Sequence, residues 1–376
     1  MSDSAKQATA LPLNDQISLL SGADVWHTQA VPGVPAVRLA DGPHGLRVQD
    51  GDSDHLGLAA SRPATCFPPA VTLASTWDPA LVREVGRAIA AEAREQGVGV
   101  VLGPGLNIKR HPLCGRNFEY FSEDPLLAGR LAAAMVEGIQ ASGDVGACPK
   151  HFAVNNQEYH RFVSDVIVDE RTLRELYLSG FEYVVKHAAP WALMTAYNPV
   201  NGQPCSAHQH LLGEILRGEW EYDGLVMSDW GATTRRTEGV LAGMDLEMPS
   251  SGGFYDRELR EAVAGGSLSP NAVAACAQRV LDLAARAVPV KSNLLSLDTN
   301  HEIARTAAIA GTVLLHNDGV LPLGPQTRVA LIGAFAEQPR FQGTGSSQVN
   351  PTRVSTLREA FTEYAGQVTY APGYDP

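Results

Sequence analysis

The sequence has no excess of positive charge, since 29 Lys and Arg residues stand against 41 Asp and Glu residues and the formal net charge is -12. Binding nucleic acid phosphates requires a basic surface, so this balance argues against a nucleic-acid-binding protein. The chain also lacks an apolar run of membrane-spanning length, and we expect no transmembrane helix. Residues 1–13 contain no basic segment followed by an apolar core. We therefore expect a cytoplasmic protein, with a secreted one as the alternative.

Cysteine is scarce, and its spacing suggests no known framework. The five cysteines are widely separated and form no C-x-x-C pair, so neither a zinc site nor a set of disulfides is indicated. Among the eleven histidines, His208 and His210 have a spacing that metal ligands use, but we expect this pair to cap a helix at the surface. We predict no metal ion and no cofactor.

Short apolar runs alternate with helical patterns through most of the 376 residues. Runs of β type cover 98–102, 146–149, 191–197 and 224–228, and they are followed by helical patterns over 125–141, 170–187, 207–217 and 234–241. Strands that are apolar throughout indicate a parallel sheet with both faces covered. The spacing favours an α/β fold in which residues 1–290 form a (β/α)8 TIM-like barrel with insertions.

A second α/β unit is predicted after a linker at 291–300. It covers 301–376, with helices over 301–311 and 355–364, an apolar run at 313–316, and strands at 329–332 and 367–370. These elements are typical of the beginning of a doubly wound α/β sandwich domain. So few strands leave a sheet edge open, so we expect this unit to be incomplete at its C-terminus or to need a partner. The oligomeric state does not follow from the sequence.

Polar residues follow the predicted strands where active sites of barrels are built. They are Asp41, the pair Lys150 and His151, Tyr197 and Asp229. Asp229 lies at the end of an apolar run and directly before Trp230, which suits a carboxylate that attacks a sugar packed on an aromatic ring. Taken alone, this segment is better explained by Asp229 as the N-cap of the next helix, and only the rest of the chain favours the other interpretation.

Five segments together resemble glycoside hydrolase family 3, in its β-glucosidase-like branch. They are Asp41-Gly-Pro-His-Gly-Leu-Arg47, Gly115-Arg-Asn-Phe-Glu-Tyr-Phe-Ser-Glu-Asp-Pro125, Lys150-His-Phe-Ala-Val-Asn-Asn156 with Arg161, Met194-Thr-Ala-Tyr-Asn-Pro-Val-Asn-Gly202 and Met227-Ser-Asp-Trp230. The resemblance extends to Gly311-Thr-Val-Leu-Leu-His-Asn-Asp-Gly319 at the start of the second unit. Each motif is of middling specificity, but the five occur in the order that the family has.

The resemblance implies a retaining, exo-acting β-glycosidase that removes terminal non-reducing β-D-glycosyl residues through a covalent intermediate on Asp229. It also implies that the sugar is held by residues matching the family's motifs, namely Asp41, Arg116, Lys150, His151, Arg161 and Tyr197. Trp230 would provide an apolar platform under the ring. The acid/base glutamate of the family's two-domain members matches no position here, and we expect it from a C-terminal region absent from this chain.

Elementary chemistry points the same way. A retaining glycosidase needs an ionised carboxylate as nucleophile, and the cations of Arg116, Lys150 and Arg161 are expected to keep the pKa of Asp229 low. Two alternatives stay open: a barrel lyase or aldolase that uses Lys150 as a Schiff base, and a non-catalytic carbohydrate-binding barrel.

Four further features have ordinary explanations at this stage. Arg116 and Glu119 alone would form a surface ion pair. Asp124 and Asp169 are expected to start helices. Asp245 and Glu247 could face the site, although we favour a structural role. The loop 343–347 is expected to be a flexible turn near the domain interface.

Overall fold

The computed structural model describes residues 7–51, 54, 56–291, 296–364 and 366–374. Its α-helices are α1 (Leu13–Leu19), α2 (Ala70–Ser75), α3 (Pro79–Gln96), α4 (Pro125–Gln140), α5 (Glu170–Thr172), α6 (Ser179–Ala188), α7 (Arg236–Ala242), α8 (Phe254–Ala264), α9 (Pro270–Arg286), α10 (Leu297–Gly311) and α11 (Leu357–Ala360). Two further segments, Leu173–Leu178 and Gln209–Glu219, are π-helical. The four helices predicted within 125–241 are all present, with ends that differ from the prediction by one or two residues.

The strands are short. They are β1 (Leu39–Asp41), β2 (Pro63–Ala64), β3 (Val100–Leu102), β4 (Gly146–Ala147), β5 (Ala192–Met194), β6 (Pro199–Val200), β7 (Gln203–Pro204), β8 (Leu225–Met227), β9 (Val329–Ile332), β10 (Asn350–Pro351) and β11 (Val368–Ala371). Strand β3 pairs in parallel with both β1 and β4, and β5 pairs in parallel with β8. Single parallel bridges connect Phe152 with Thr195 and Met227 with Leu246. The predicted parallel strand pairing is thus observed for these segments.

Alternate residues of these strands pack into two different apolar layers. Val101 and Val226 belong to the layer that includes α3 and α4, whereas Val100 and Leu225 belong to the layer that includes α9. Successive side chains of a strand point to opposite faces, so both faces are covered by apolar side chains. This packing explains why the strands are largely apolar, and it leaves polar residues at or just beyond their carboxyl ends.

Several helix starts follow local capping chemistry. The Asp124 carboxylate accepts a hydrogen bond from the Leu127 amide at 2.9 Å, and Asp169 accepts one from Thr172 at 3.0 Å. Both residues therefore cap helices, as predicted. His208 also acts as a cap, through a hydrogen bond from the Leu211 amide at 3.2 Å. The prediction that His208 lies at the surface was wrong, because its ring is buried with Nε2 against the Val200 carbonyl.

The C-terminal region differs from its prediction at two places. Helix α10 begins at Leu297, so the last residues of the predicted linker are helical, while residues 292–295 lie outside the described part of the chain. The run 313–316 forms no strand, and its side chains are exposed. Strands β9 and β11 form a two-stranded parallel sheet close to the predicted positions. The region is tied to the rest of the molecule by the Asn300 amide, which donates to the Glu92 carboxylate at 2.8 Å.

Within the described residues, no helix combines the length and the apolar character needed to cross a membrane. The five cysteines all carry free thiols.

Candidate active site

A cavity of about 380 Å³ opens beyond the carboxyl ends of the parallel strands. All eight residues proposed from the sequence line it: Asp41, Arg116, Lys150, His151, Arg161, Tyr197, Asp229 and Trp230. Asp41 ends β1, and Asp229 lies two residues after β8. Residues far apart in the chain meet here because parallel strands end at the same edge of their sheet.

Asp229 is a buried carboxylate whose two oxygens have different surroundings. Oδ1 accepts a hydrogen bond from the Trp230 backbone amide at 2.7 Å. Oδ2 is buried and accepts no hydrogen bond from any residue that the structure describes, and His151 Nε2 lies 3.6 Å from it. Burial raises the pKa of Asp229 above its ordinary value, and Arg116 and Lys150 oppose this rise only in part. The expectation of a low pKa was therefore wrong, because the carboxylate loses more hydration than the cations replace.

Trp230 lies beside the carboxylate in a fixed orientation. Its indole nitrogen donates to the Val25 carbonyl at 2.8 Å, and its ring packs against Trp26 with centroids 5.5 Å apart. The Tyr197 hydroxyl donates to the Trp230 carbonyl at 3.0 Å. These contacts fix the backbone that positions Asp229.

Lys150 and His151 occupy the buried side of the cavity. The Lys150 ammonium donates to Asp41 Oδ1 at 2.7 Å. Burial by itself lowers the pKa of Lys150, but Asp41 and Glu119 more than compensate, so the pKa lies above its ordinary value and the side chain is charged. Burial lowers the pKa of His151 well below its ordinary value, with further lowering by Arg116 and Lys150, so the ring is neutral.

The neutral His151 ring is held from its other nitrogen. Its Nδ1 lies 3.1 Å from the Tyr120 hydroxyl, which also receives a hydrogen bond from the Asn155 amide at 3.4 Å. The backbone of His151 is fixed by Asn107, which accepts from its amide at 2.8 Å and donates to its carbonyl at 2.9 Å. Nε2 is thereby directed toward Asp229.

Two arginines each pair with a carboxylate in the cavity wall. Arg116 Nε donates to Glu119 at 2.5 Å, and Arg161 Nη1 donates to Glu158 at 2.7 Å. Glu119 is buried, so the interpretation of the first pair as a surface ion pair was wrong. The Arg161 guanidinium also lies over the Tyr197 ring, 4.3 Å from its centroid.

Sequence reasoning missed several residues of the cavity. Glu158, Phe162, Leu56 and the loop 344–347 line it, although the loop was expected to be only a flexible turn. Glu158 stands three residues before Arg161, and their opposite charges are the local signal that could have indicated this pair.

Two acids that were considered as possible site residues lie outside the cavity. Asp245 is fully buried and accepts hydrogen bonds from Arg217 and Arg279, both at 2.7 Å. Glu247 accepts one from Ser21 at 3.3 Å. Neither acid is among the described residues that line the cavity.

Over the described ranges, no group of three or more His, Cys, Asp or Glu side chains has a geometry that could hold a metal ion.

Two family models match this chain. The glycosyl hydrolase family 3 N terminal domain matches residues 52–283, and the glycosyl hydrolase family 3 C-terminal domain matches residues 312–372. The first match covers the cavity residues from Leu56 to Trp230, whereas Asp41 lies before it. The second covers the loop 344–347 at its rim.

Known proteins similar to the chain extend beyond it. It is 48% identical over 380 residues to thermostable beta-glucosidase B of Acetivibrio thermocellus, covering 99% of this chain and 50% of that protein. It is 44% identical to an exo-alpha-(1->6)-L-arabinopyranosidase of Bifidobacterium longum, covering 97% of this chain and 50% of that protein. The crystal structure of a beta-glucosidase from Bifidobacterium adolescentis superposes with a TM-score of 0.92 at 41% identity, covering 99% of this chain and 54% of the other. The chain spans about half the length of these relatives, and it belongs to glycosyl hydrolase family 3.

Proposed function

We propose that this chain carries the nucleophile and most of the sugar-binding residues of a retaining, exo-acting β-glycosidase of the β-glucosidase type. The observation that carries the proposal is the free oxygen of Asp229. Its Oδ2 is buried in the cavity without a hydrogen-bond donor among the described residues, while Oδ1 is held at 2.7 Å by the Trp230 amide. A carboxylate fixed by one oxygen and free at the other suits an attack on an anomeric carbon.

The remaining residues suit recognition of a terminal sugar. Asp41 offers acceptor oxygens, and Lys150, Arg116 and Arg161 offer charged donors that can hold vicinal hydroxyls. Such contacts fix the ring for attack and exclude other orientations. The closed side of the cavity behind Lys150 and His151 is consistent with removal of a sugar from a chain end.

The proposed reaction has two steps. Asp229 attacks C1, the bond from C1 to the leaving oxygen breaks, and that oxygen takes a proton from a general acid. Water then attacks C1 of the resulting ester, and Asp229 leaves as a carboxylate. We propose that the general acid comes from residues this chain does not include. The described carboxylates Asp41, Glu119 and Glu158 each accept a hydrogen bond from a cation. For Glu119, burial alone would raise the pKa, but the charges of Arg116 and Lys150 hold it below its ordinary value, which favours the ionised form.

We also propose that the parallel strands belong to a (β/α)8-type barrel within residues 1–290, followed by an α/β sandwich domain from residue 301. The parallel pairings of β1, β3 and β4, and of β5 with β8, support this arrangement. The cavity then lies at the barrel face where the β-to-α loops converge.

Glucose is the proposed glycone, because the relative with 48% identity and the structure with TM-score 0.92 are both named beta-glucosidases. A second candidate is α-L-arabinopyranose, since a relative with 44% identity is named for that sugar. Hydrolysis of an aryl β-D-glucoside and of the α-L-arabinopyranoside with the same aryl group, compared by kcat/KM, separates these candidates.

The alternative of a Lys150 Schiff base is disfavoured by the charge of that residue. A lysine that attacks a carbonyl must lose its proton, but Asp41 lies 2.7 Å away and the pKa of Lys150 is raised. Treatment with borohydride and a carbonyl substrate is therefore expected to leave Lys150 unmodified.

Trapping of the covalent intermediate tests the proposal. Incubation with 2,4-dinitrophenyl 2-deoxy-2-fluoro-β-D-glucoside supplies a leaving group that needs no general acid. Mass spectrometry of peptides is expected to find the label on Asp229, and Asp229→Asn is expected to remain unlabelled. A label on any other residue refutes the assignment. Absence of a label from the wild-type protein, together with activity retained in Asp229→Asn, would favour a different nucleophile.

A further inference from the structure

Two large apolar side chains line a cavity whose other walls are rich in charge. Phe162 is 59% exposed and Leu56 is 58% exposed, and both belong to the cavity lining. A single exposed apolar side chain needs no explanation. Two of them in the same polar cavity offer an apolar surface to a molecule bound there.

Phe162 is held in place although it is exposed. Its ring packs against the Tyr197 ring with centroids 4.6 Å apart and an angle of 59° between the planes. The Arg161 guanidinium lies 5.3 Å from the Phe162 ring centroid and 4.3 Å from that of Tyr197. Arg161 thus connects the apolar wall to the residues proposed to bind the sugar. Phe162 therefore lies next to residues proposed to bind the sugar and is itself exposed.

Leu56 lies in a loop whose backbone amides donate hydrogen bonds to one carboxylate. The Asp54 side chain accepts hydrogen bonds from the amides of Leu56 and Gly57, both at 2.6 Å, and of Ala59 at 2.7 Å. Burial raises the pKa of Asp54, but the hydrogen bonds from Ala59 and Gln49 lower it more, and the pKa lies well below its usual range. The carboxylate is therefore ionised, and the loop keeps its shape.

The same loop packs tightly against the second unit. Gly57 has a φ of +87°, and a Cβ there would lie 2.5 Å from the Gly345 carbonyl oxygen. Only glycine permits this conformation and this approach together. The loop that carries Leu56 and the loop 344–347 thus form one continuous rim of the cavity.

We propose that Phe162 and Leu56 form the binding site for the aglycone, and that the protein prefers β-glycosides whose leaving group has an aryl or alkyl face over those whose leaving group is another sugar. This inference rests on the proposed function. An aryl group gains free energy when its apolar surface is buried against these side chains. A sugar in the same place has hydroxyls that require hydrogen-bond partners, which neither side chain provides.

Matched ligands that are not hydrolysed test this preference. Binding of methyl 1-thio-β-D-glucopyranoside and phenyl 1-thio-β-D-glucopyranoside is measured by titration calorimetry, together with thiocellobiose, whose leaving group is a second glucose. The phenyl compound is expected to bind roughly tenfold more tightly to the wild-type protein than the methyl compound, as burial of one ring face predicts, and more tightly than thiocellobiose. Tighter binding of thiocellobiose than of the phenyl compound contradicts the preference. Phe162→Ala and Leu56→Ala are each expected to reduce this ratio while binding of the methyl compound changes by less than about twofold.

Two exposed neighbours provide controls. Val163 and Leu58 are 73% and 83% exposed, and neither is among the described residues that line the cavity. Val163→Ala and Leu58→Ala are expected to keep the wild-type ratio. Equal binding of the methyl and phenyl compounds by the wild-type protein, or a ratio unchanged in both Phe162→Ala and Leu56→Ala, overturns the inference and leaves the proposed function intact. Failure of both compounds to bind the wild-type protein contradicts the proposed function, and the inference with it.

Discussion

The Lys150 ammonium lies 2.7 Å from the Asp41 carboxylate, and both side chains are buried in the cavity wall. Each member compensates the other for lost hydration, so removal of one leaves an unpaired buried charge. The pair also brings together the ends of two strand segments, because Asp41 ends β1 and Lys150 follows β4.

Asp41→Asn is therefore expected to lower the free energy of unfolding by about 2 kcal/mol, which is less than for a fully dry ion pair because the cavity admits water. The double variant Asp41→Asn/Lys150→Met is expected to be more stable than the single one. Urea unfolding measures the free energy of unfolding of the single and the double variant. Glu238→Gln is a suitable control, because its partner Arg235 is exposed and such pairs contribute less than about 1 kcal/mol. Equal stability of the Asp41→Asn variant and the wild type would contradict this contribution of the pair to stability.

The acidic limit of the labelling reaction is expected to depend on Arg116. Among the cations, Arg116 acts most strongly against the raised pKa of Asp229, so its removal disfavours the carboxylate further. In Arg116→Met, the pH below which labelling by the fluoroglucoside fails is expected to rise by about 1 unit. The rate of inactivation measured as a function of pH gives this limit. Arg235→Met, outside the cavity lining of the described residues, is expected to retain the wild-type profile. A shift toward lower pH in Arg116→Met would contradict the electrostatic role.

Glu158 is the carboxyl group in the cavity that most resembles a proton donor. Burial raises its pKa, although Arg116 and Arg161 act in the opposite direction. Because Arg161 holds one oxygen at 2.7 Å, we expect Glu158→Gln to lower kcat/KM for dinitrophenyl and methyl glucosides by similar factors. A general acid behaves differently, because its loss affects the poor leaving group far more. A large loss confined to the methyl glucoside, with rescue of the aryl substrate by azide, would identify Glu158 as the acid.

His44 is expected to make the fold sensitive to acid. Its ring is buried, and burial lowers its pKa to about 4, whereas the unfolded chain has a value of about 6.5. Below about pH 6.5 the ring binds a proton in the unfolded chain but stays neutral in the folded protein. Its contribution to the free energy of unfolding is therefore complete above about pH 6.5 and is lost as the pH falls toward 4. Between pH 7 and pH 4.5 the wild type is expected to lose roughly 2 kcal/mol more than His44→Gln.

Urea unfolding of both proteins at the two pH values tests this prediction. His316 is exposed, so His316→Gln is expected to follow the wild type at both pH values. An equal loss in the wild type and His44→Gln would assign the acid sensitivity to other groups.

Local patterns predicted much of the fold because their causes are local. Apolar runs bounded by Gly and Pro identified β5 and β8, and side-chain caps identified the helices that begin after Asp124 and Asp169. The polar residues at strand ends were predictable for the same reason. A strand buried on both faces leaves only its carboxyl end for a residue such as Asp229.

The prediction failed where the outcome depends on distant parts of the chain. The pKa of Asp229 reflects burial by several elements, and burial outweighs the cations whose proximity the motifs suggested. Helix α10 extends into the predicted linker, where Asn300 meets Glu92 of α3. No local pattern indicates that contact, since the two residues are separated by 208 positions.

The sequence by itself determined the apolar strand segments, the capped helices and the family motifs, because each of these depends on neighbours a few residues apart. Only the tertiary structure decided that Phe162 and Leu56 line one cavity, that Glu119 is buried and that the oxygens of Asp229 differ. Burial and charge at a point in space are sums over all elements that meet there. Such sums follow from the path of the whole chain and not from any one segment of it.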